Sequence, residues 1–192
     1  GEQLIHQVEE VLAITGKQKL NLIGHSHGGP TVLYVAATQP QYIASITGVA
    51  GTYHGSKVAD DIQNNRLTRT AFNILGDYII GPLIALGQFK PELEIDFDAS
   101  MKSLTQTGSN TFNATVAQQV VKDGVLASTE NCNKNLKQKD SKGIHYYSWT
   151  GVAQATNALD IDTILMQLGP LSYGSKDNDG MVARCSTHIG KV

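Results

Sequence analysis

One short stretch constrains the fold of this chain more than any other. Residues 20–30 read LNLIGHSHGGP, an apolar run that ends abruptly in glycines, histidines and one serine. A short apolar run bounded by glycine predicts a buried strand. The following PTVLYVAATQP, with Pro30 near its first turn, predicts a helix. The stretch therefore predicts a strand that turns sharply into a helix, with Ser26 held at the turn between Gly24 and Gly28.

The segments on either side of this turn predict an α/β fold with parallel pairing. Upstream, EQLIHQVEEVLAITGKQ predicts a helix that stops at Gly16. Its apolar face comprises Leu4, Ile5, Val8, Val11 and Leu12. Downstream, YIASITGVAG and IHYYSWTG are each typical of a strand. Because helices and strands alternate, we expect a mostly parallel sheet flanked by helices, in one domain over residues 1–192.

The serine in GHSHG matches the pattern G-x-S-x-G in the setting where that pattern has a mechanical meaning. In such a turn the serine takes a strained backbone conformation, and glycines on either side remove the Cβ atoms that would collide. We therefore expect Ser26 to be a nucleophile, with the backbone N–H of His27 donating to the oxyanion of an acyl-transfer intermediate. The alternative is a glycine-rich turn with an incidental serine.

A serine nucleophile needs a histidine base and a carboxylate that orients the base. The loop KDNDG offers Asp177 and Asp179, and we favour Asp179, directly before Gly180. The alternative is a plain turn or a calcium loop, although an EF-hand is excluded because it would need glutamate where His188 stands. Only His188 follows Asp179, and nine residues leave little chain to cross a helix and return on another strand. We predict that His188 is structural and that the general base lies outside this chain.

The loop that would carry the second oxyanion donor also has no residues to occupy, because only one helix precedes the first predicted strand. The missing general base and the missing oxyanion loop both indicate that this chain is the middle of a larger protein.

The net charge of −2 and the pI near 6.3 argue against nucleic acid as a partner. No apolar stretch reaches the ~18–20 residues of a membrane-spanning helix. Two cysteines, Cys132 and Cys185, fit a disulfide or two free thiols by count alone.

Five blocks stand in the order and spacing of the secreted bacterial triacylglycerol lipases: LIGHSHGG, GVAGTYHGSKVAD, GSNTFN, HYYSWTG and DNDGMVARCSTHIG. The chain resembles the Pseudomonas/Burkholderia and Proteus types of this family over nearly its whole length, and GTYHGS is closer to the shorter Proteus form. The resemblance implies an α/β-hydrolase fold with a helical lid or cap, incomplete at both ends of this chain. It also implies a triad of Ser26, Asp179 and a histidine beyond Val192.

The resemblance implies two features that would stabilise the fold. Asp160, in NALDIDTI, matches one ligand of a structural calcium ion. The alternative is a helix N-cap, and Asp162 competes for the ligand position. Cys132 and Cys185 match a disulfide of the Pseudomonas type, which favours an oxidising compartment and hence a secreted, extracellular protein. Two buried thiols are the alternative.

The glycine-broken apolar segment RTAFNILGDYIIGPLIALGQF falls in the lid or cap, at about residues 66–127. If this segment is a lid, its apolar face covers the serine in water and turns outward at a lipid interface. The alternative is a buried cap helix. The resemblance implies hydrolysis of long-chain acyl glycerols at an oil–water interface, with a lipase-specific foldase chaperone as a partner. We expect a monomer. A carboxylesterase for small soluble esters and a non-catalytic hydrolase-like binding domain are the competing functions.

Overall fold

The computed structural model describes residues 1–64, 97–129, 132, 135–152 and 168–192. The strands are β1 (Leu20–His25), β2 (Ile43–Val49) and β3 (His145–Trp149). The helices are α1 (Glu2–Thr15), α2 (Gly28–Thr38), α3 (Lys57–Asn64), α4 (Phe97–Leu104), α5 (Gln106–Thr115), α6 (Gln118–Lys122) and α7 (Leu168–Tyr173). Short 3₁₀ turns occupy Pro40–Tyr42 and Arg184–Thr187.

The first helix ends where the sequence predicts. Gly16 takes a left-handed conformation with φ 65°, and its N–H donates to the carbonyl oxygen of Leu12 at 2.9 Å. Glycine adopts this conformation without the Cβ clash that other residues meet. Ile5 and Val8 are buried in the core, whereas Val11 is 42% exposed. The apolar face that packs inward is therefore narrower than predicted.

The three strands form a parallel sheet in the order β1-β2-β3, which confirms the predicted pairing. Beyond β3, Lys191 pairs in parallel with Tyr147. Its N–H donates to the carbonyl oxygen of Tyr146, and its carbonyl oxygen accepts from the N–H of Ser148. Parallel strands all end at the same edge of a sheet. The residues that follow β1 and β2 are therefore brought together at one edge, as expected for a ligand site in an open α/β sheet.

The main core lies between one face of the sheet and the helices that cover it. Leu33 of α2, Ile46 of β2 and Tyr146 of β3 have no exposed surface. Burying a side chain of this size stabilises the fold by about 1.5–3 kcal/mol. The opposite face is open to solvent in the described part of the chain, where Ile23 is 73% and Trp149 is 60% exposed.

The predicted lid or cap region is described only from residue 97 onward. There α4 packs against α3 and α5, and residues after α5 join the main core; these are Ala117, Val120, Val125 and Leu126. The glycine-broken apolar segment lies outside the described residues, so the lid stays a prediction. Within the described ranges, no helix is long and apolar enough to cross a membrane.

Candidate active site

Ser26 stands in the turn between β1 and α2 with φ 53°, a left-handed conformation that is uncommon for a residue with a side chain. Its N–H donates to the carbonyl oxygen of Val49, at the end of β2, at 2.9 Å. Its own carbonyl oxygen accepts from the N–H of Gly29 at 3.0 Å. These bonds hold the strained turn from both sides. The conformation costs roughly 1–2 kcal/mol, and such strain is concentrated at functional sites.

The glycines that permit this turn differ in part from those that the sequence predicts. A Cβ atom at Gly24 would collide with the carbonyl oxygen of Gly28, as predicted. At Gly28 itself, a Cβ atom would meet nothing within 4 Å. The second close approach is at Gly29, where a Cβ atom would lie 2.8 Å from Gly51 and 3.3 Å from the ring of Tyr53. The helix start is therefore tight against the loop after β2, which sequence reasoning did not show.

Gly24→Ala is expected to destabilise the protein by about 1–3 kcal/mol, because its methyl group overpacks the turn. Gly28→Ala is the matched control, and we expect no loss of stability because the space beside Gly28 is open. Thermal unfolding of both variants checks this. Equal losses for the two variants would contradict the close contact at Gly24.

His27 follows the serine, and its backbone N–H makes no hydrogen bond to any described residue. It precedes the first turn of α2, where the helix dipole favours negative charge. Its ring Nε2 lies 2.9 Å from the Oγ of Ser103 in α4. Burial, with a smaller contribution from the charged amino terminus, lowers the pKa of His27 and favours the neutral ring. Within the described part of the chain, the backbone N–H of His27 is therefore without a hydrogen-bond acceptor.

The structure separates the two acidic candidates of the KDNDG loop. Asp177 forms a bidentate ion pair with Arg184 at the protein surface, with nitrogen–oxygen distances of 2.8 and 3.0 Å. Asp179 is partly buried, and one carboxylate oxygen accepts from the backbone N–H groups of Met181 and Val182 at 3.0 and 2.8 Å. Its other oxygen lies 3.4 Å from the hydroxyl of Thr150, just after β3. The pinned carboxylate of Asp179 suits an orienting role, and Asp177 is engaged elsewhere.

A cavity of about 40 Å³ is lined by Ser26 and by residues of the loop that follows Asp179. Ser26 lines it on one side, and Met181 and Val182, whose N–H groups hold Asp179, line it on another. Met101 and Leu104 of α4 complete an apolar wall. The lining of this cavity therefore combines hydroxyl-bearing residues with apolar side chains.

Two histidines, His54 and His188, are buried, and neither ring forms a hydrogen bond with Ser26 or Asp179. His54 is 2% and His188 is 8% exposed, and none of their ring nitrogens has a partner among the described residues. Burial, reinforced by the charge of His188, lowers the pKa of His54 to about 4. Burial and Arg184 lower the pKa of His188, which Asp177 opposes. Sequence reasoning assigned no role to His54.

Because the pKa values of His54 and His188 are lowered in the folded protein, we expect the free energy of unfolding to fall in acid. A depressed folded-state pKa means that the unfolded chain binds more protons, so stability falls as pH decreases from 6.5 towards about 4. The expected loss from His54 is on the order of 3 kcal/mol. His54→Gln should flatten the pH dependence of the melting temperature, whereas His6→Gln, at an exposed histidine, should not. If NMR titration of the unaltered protein shows His54 with an ordinary pKa, the explanation is wrong.

The sulfur atoms of Cys132 and Cys185 lie within bonding distance, and their Cα atoms are 4.6 Å apart. With Asp177 they form a group that could hold a metal ion, as found among the described residues. Two sulfurs are poor ligands for calcium, which prefers oxygen, and Asp177 is already paired with Arg184. The predicted calcium ligand Asp160 and its competitor Asp162 lie outside the described residues.

A profile described as the alpha/beta hydrolase fold matches residues 2–182. The chain belongs to the alpha/beta hydrolase family. It is 41% identical over 198 residues to a triacylglycerol lipase of Vibrio cholerae, covering all of this chain and 59% of that protein. It is 32% identical over 210 residues to one of Pseudomonas fragi, covering all of this chain and 66% of that protein.

Two solved structures have a similar fold. A Bacillus licheniformis lipase aligns with a TM-score of 0.57 at 17% identity, over 98% of this chain and 61% of that one. A metagenomic carboxyl esterase aligns with a TM-score of 0.54 at 16% identity, over 96% and 47%. The predicted fold class is thus confirmed, as is the resemblance to lipases of Pseudomonas and Burkholderia. The chain spans less than two thirds of the length of the Vibrio and Pseudomonas relatives.

Proposed function

We propose that the full-length protein is a serine ester hydrolase that acts on long-chain acyl glycerols. The single observation that carries this proposal is the geometry of Ser26: a left-handed residue at the end of β1, lining one cavity with the loop that fixes Asp179. Curated relatives that are named triacylglycerol lipases support the substrate class.

In the proposed reaction, the Oγ of Ser26 attacks the carbonyl carbon of the ester, and a histidine base takes the hydroxyl proton. The backbone N–H of His27 donates to the oxyanion that forms. The bond to the alcohol then breaks, and the histidine returns the proton to the leaving oxygen. Water, activated by the same histidine, hydrolyses the acyl-enzyme to release the fatty acid and restore Ser26.

We propose that the base follows Val192 in the full-length protein. All six histidines of this chain lie in described ranges, and none hydrogen-bonds to Asp179 there. Lys191 already pairs in parallel with β3, so a strand continuing from it would end at the sheet edge that holds Ser26. The carboxylate of Asp179 would hold the base in the tautomer that accepts the serine proton.

Three further features belong to the same proposal. Cys132 and Cys185 form a disulfide, which their Cα separation of 4.6 Å permits; intact mass after alkylation without a reductant tests it. Such a bond favours a secreted protein. Two more parts of the proposal are supported by the family resemblance alone. Asp160 is a ligand of a structural calcium ion, and a foldase chaperone assists folding.

Labelling by a fluorophosphonate probe, followed by assays of esters of increasing acyl length, tests the function. We expect labelling at Ser26 and a rate that rises for long-chain esters when an oil–water interface is present. Hydrolysis confined to short soluble esters would indicate a carboxylesterase instead. A full-length protein that is folded but neither labelled nor active would indicate a binding domain.

A further inference from the structure

Thr52, in the loop after β2, has a buried hydroxyl that the proposed reaction does not yet use. The residue is 2% exposed, and its Oγ1 makes no hydrogen bond to any described residue. Its backbone, in contrast, is fixed on both sides. The N–H donates to the carbonyl oxygen of Ser26 at 3.4 Å, and the carbonyl oxygen accepts from the hydroxyl of Ser109 at 3.3 Å.

Thr52 lines two cavities, one with the candidate nucleophile and one with the candidate oxyanion donor. It lines the cavity of about 40 Å³ together with Ser26. It also lines a neighbouring cavity of about 200 Å³ together with His27 and Ser103. No other residue lines both cavities among those described. An ester bound at Ser26 would therefore lie next to Thr52.

A buried hydroxyl without a partner destabilises a fold, because it has lost its hydrogen bonds to water. Most buried polar groups find partners, so an exception at a cavity points to a group that binds there. Ser56, on the wall of the same small cavity, differs because its hydroxyl is bonded to the carbonyl oxygen of Met181. Among these two hydroxyls, Thr52 is the one that is available.

We propose that the hydroxyl of Thr52 donates a hydrogen bond to the ester carbonyl oxygen during attack by Ser26, beside the N–H of His27. The inference rests on the proposed function, since it assigns a further catalytic residue to the same site. No proton is transferred. The bond strengthens as the oxygen gains charge, because hydrogen bonds to charged acceptors are stronger than those to neutral ones.

Two substitutions separate this role from structural support of the turn. Thr52→Val keeps the branched shape and both backbone hydrogen bonds but removes the hydroxyl. Thr52→Ser keeps the hydroxyl and removes the methyl group. In the full-length protein, we expect Thr52→Val to lower kcat for p-nitrophenyl butyrate by ~10- to 100-fold with little change in KM. Its melting temperature should be equal or higher, and Thr52→Ser should retain most of the activity.

Three results would overturn the proposal: an unchanged kcat for Thr52→Val, an equal loss for Thr52→Ser, or a loss of activity matched by a fall in melting temperature. Ser26→Ala, assayed alongside, tests the underlying function separately. If Ser26→Ala remains active, the proposed hydrolase mechanism fails. If Ser26→Ala is inactive and Thr52→Val is fully active, only the role of Thr52 fails.

Discussion

Replacing Ser26 by alanine is expected to lower kcat for ester hydrolysis by ~10⁵- to 10⁶-fold and to abolish fluorophosphonate labelling. The reason is that the proposed acyl-enzyme forms on the hydroxyl oxygen of Ser26, which alanine lacks. Folding should not suffer, because the backbone bonds that hold the turn do not involve the hydroxyl. Activity assays and thermal unfolding of the full-length protein measure the two effects.

Ser26→Gly is the matched control for strain. Glycine takes φ 53° freely, so this variant should be equally inactive but about 1 kcal/mol more stable than Ser26→Ala. Full activity of either variant would exclude Ser26 as the nucleophile. A glycine variant that is less stable than the alanine variant would show that the left-handed conformation stores no strain.

Asp179→Asn is expected to lower kcat by ~10⁴-fold while leaving the fold intact. The asparagine carbonyl can still accept from the N–H groups of Met181 and Val182, so the loop should keep its conformation. Its amide group would then face the base as a donor. The base would be held in the wrong tautomer, and the imidazolium formed during attack would lose its negative partner.

Asp177→Asn is the control, since it stands two residues away in the same loop. It breaks the ion pair with Arg184, whose two side chains are 46% and 48% exposed. Exposed pairs of this kind contribute about 0–1 kcal/mol, so we expect nearly unchanged activity and stability. The opposite ranking of the two variants, measured by kcat with the same ester, would reassign the acid to Asp177.

Much of the site was predictable because its signals are local. The glycine at position 24 and the helical pattern after it predict the turn at Ser26, and φ 53° there agrees with the strained conformation expected. The position directly before Gly180, which has φ 97°, favours Asp179 as the acid. The choice is supported by the two backbone N–H groups that hold its carboxylate. Its catalytic role stays a prediction.

Contacts between distant segments could not be predicted from these patterns. The need for glycine at position 29 arises from Gly51, which approaches from the loop after β2. The availability of the Thr52 hydroxyl depends on which residues surround it in three dimensions. Similarly, the burial of His54 beside His188 joins residues more than a hundred positions apart.

The sequence by itself determined the order of strands and helices, the sharp turn at Ser26 and the pool of acidic candidates. Apolar periodicity, glycine and proline act on the backbone within a few residues, so they can be read along the chain. The tertiary structure alone decided which carboxylate is held by backbone N–H groups, which glycines are sterically required and which buried hydroxyl is left unpaired. Each of these depends on packing and desolvation, which arise only when segments far apart in sequence meet.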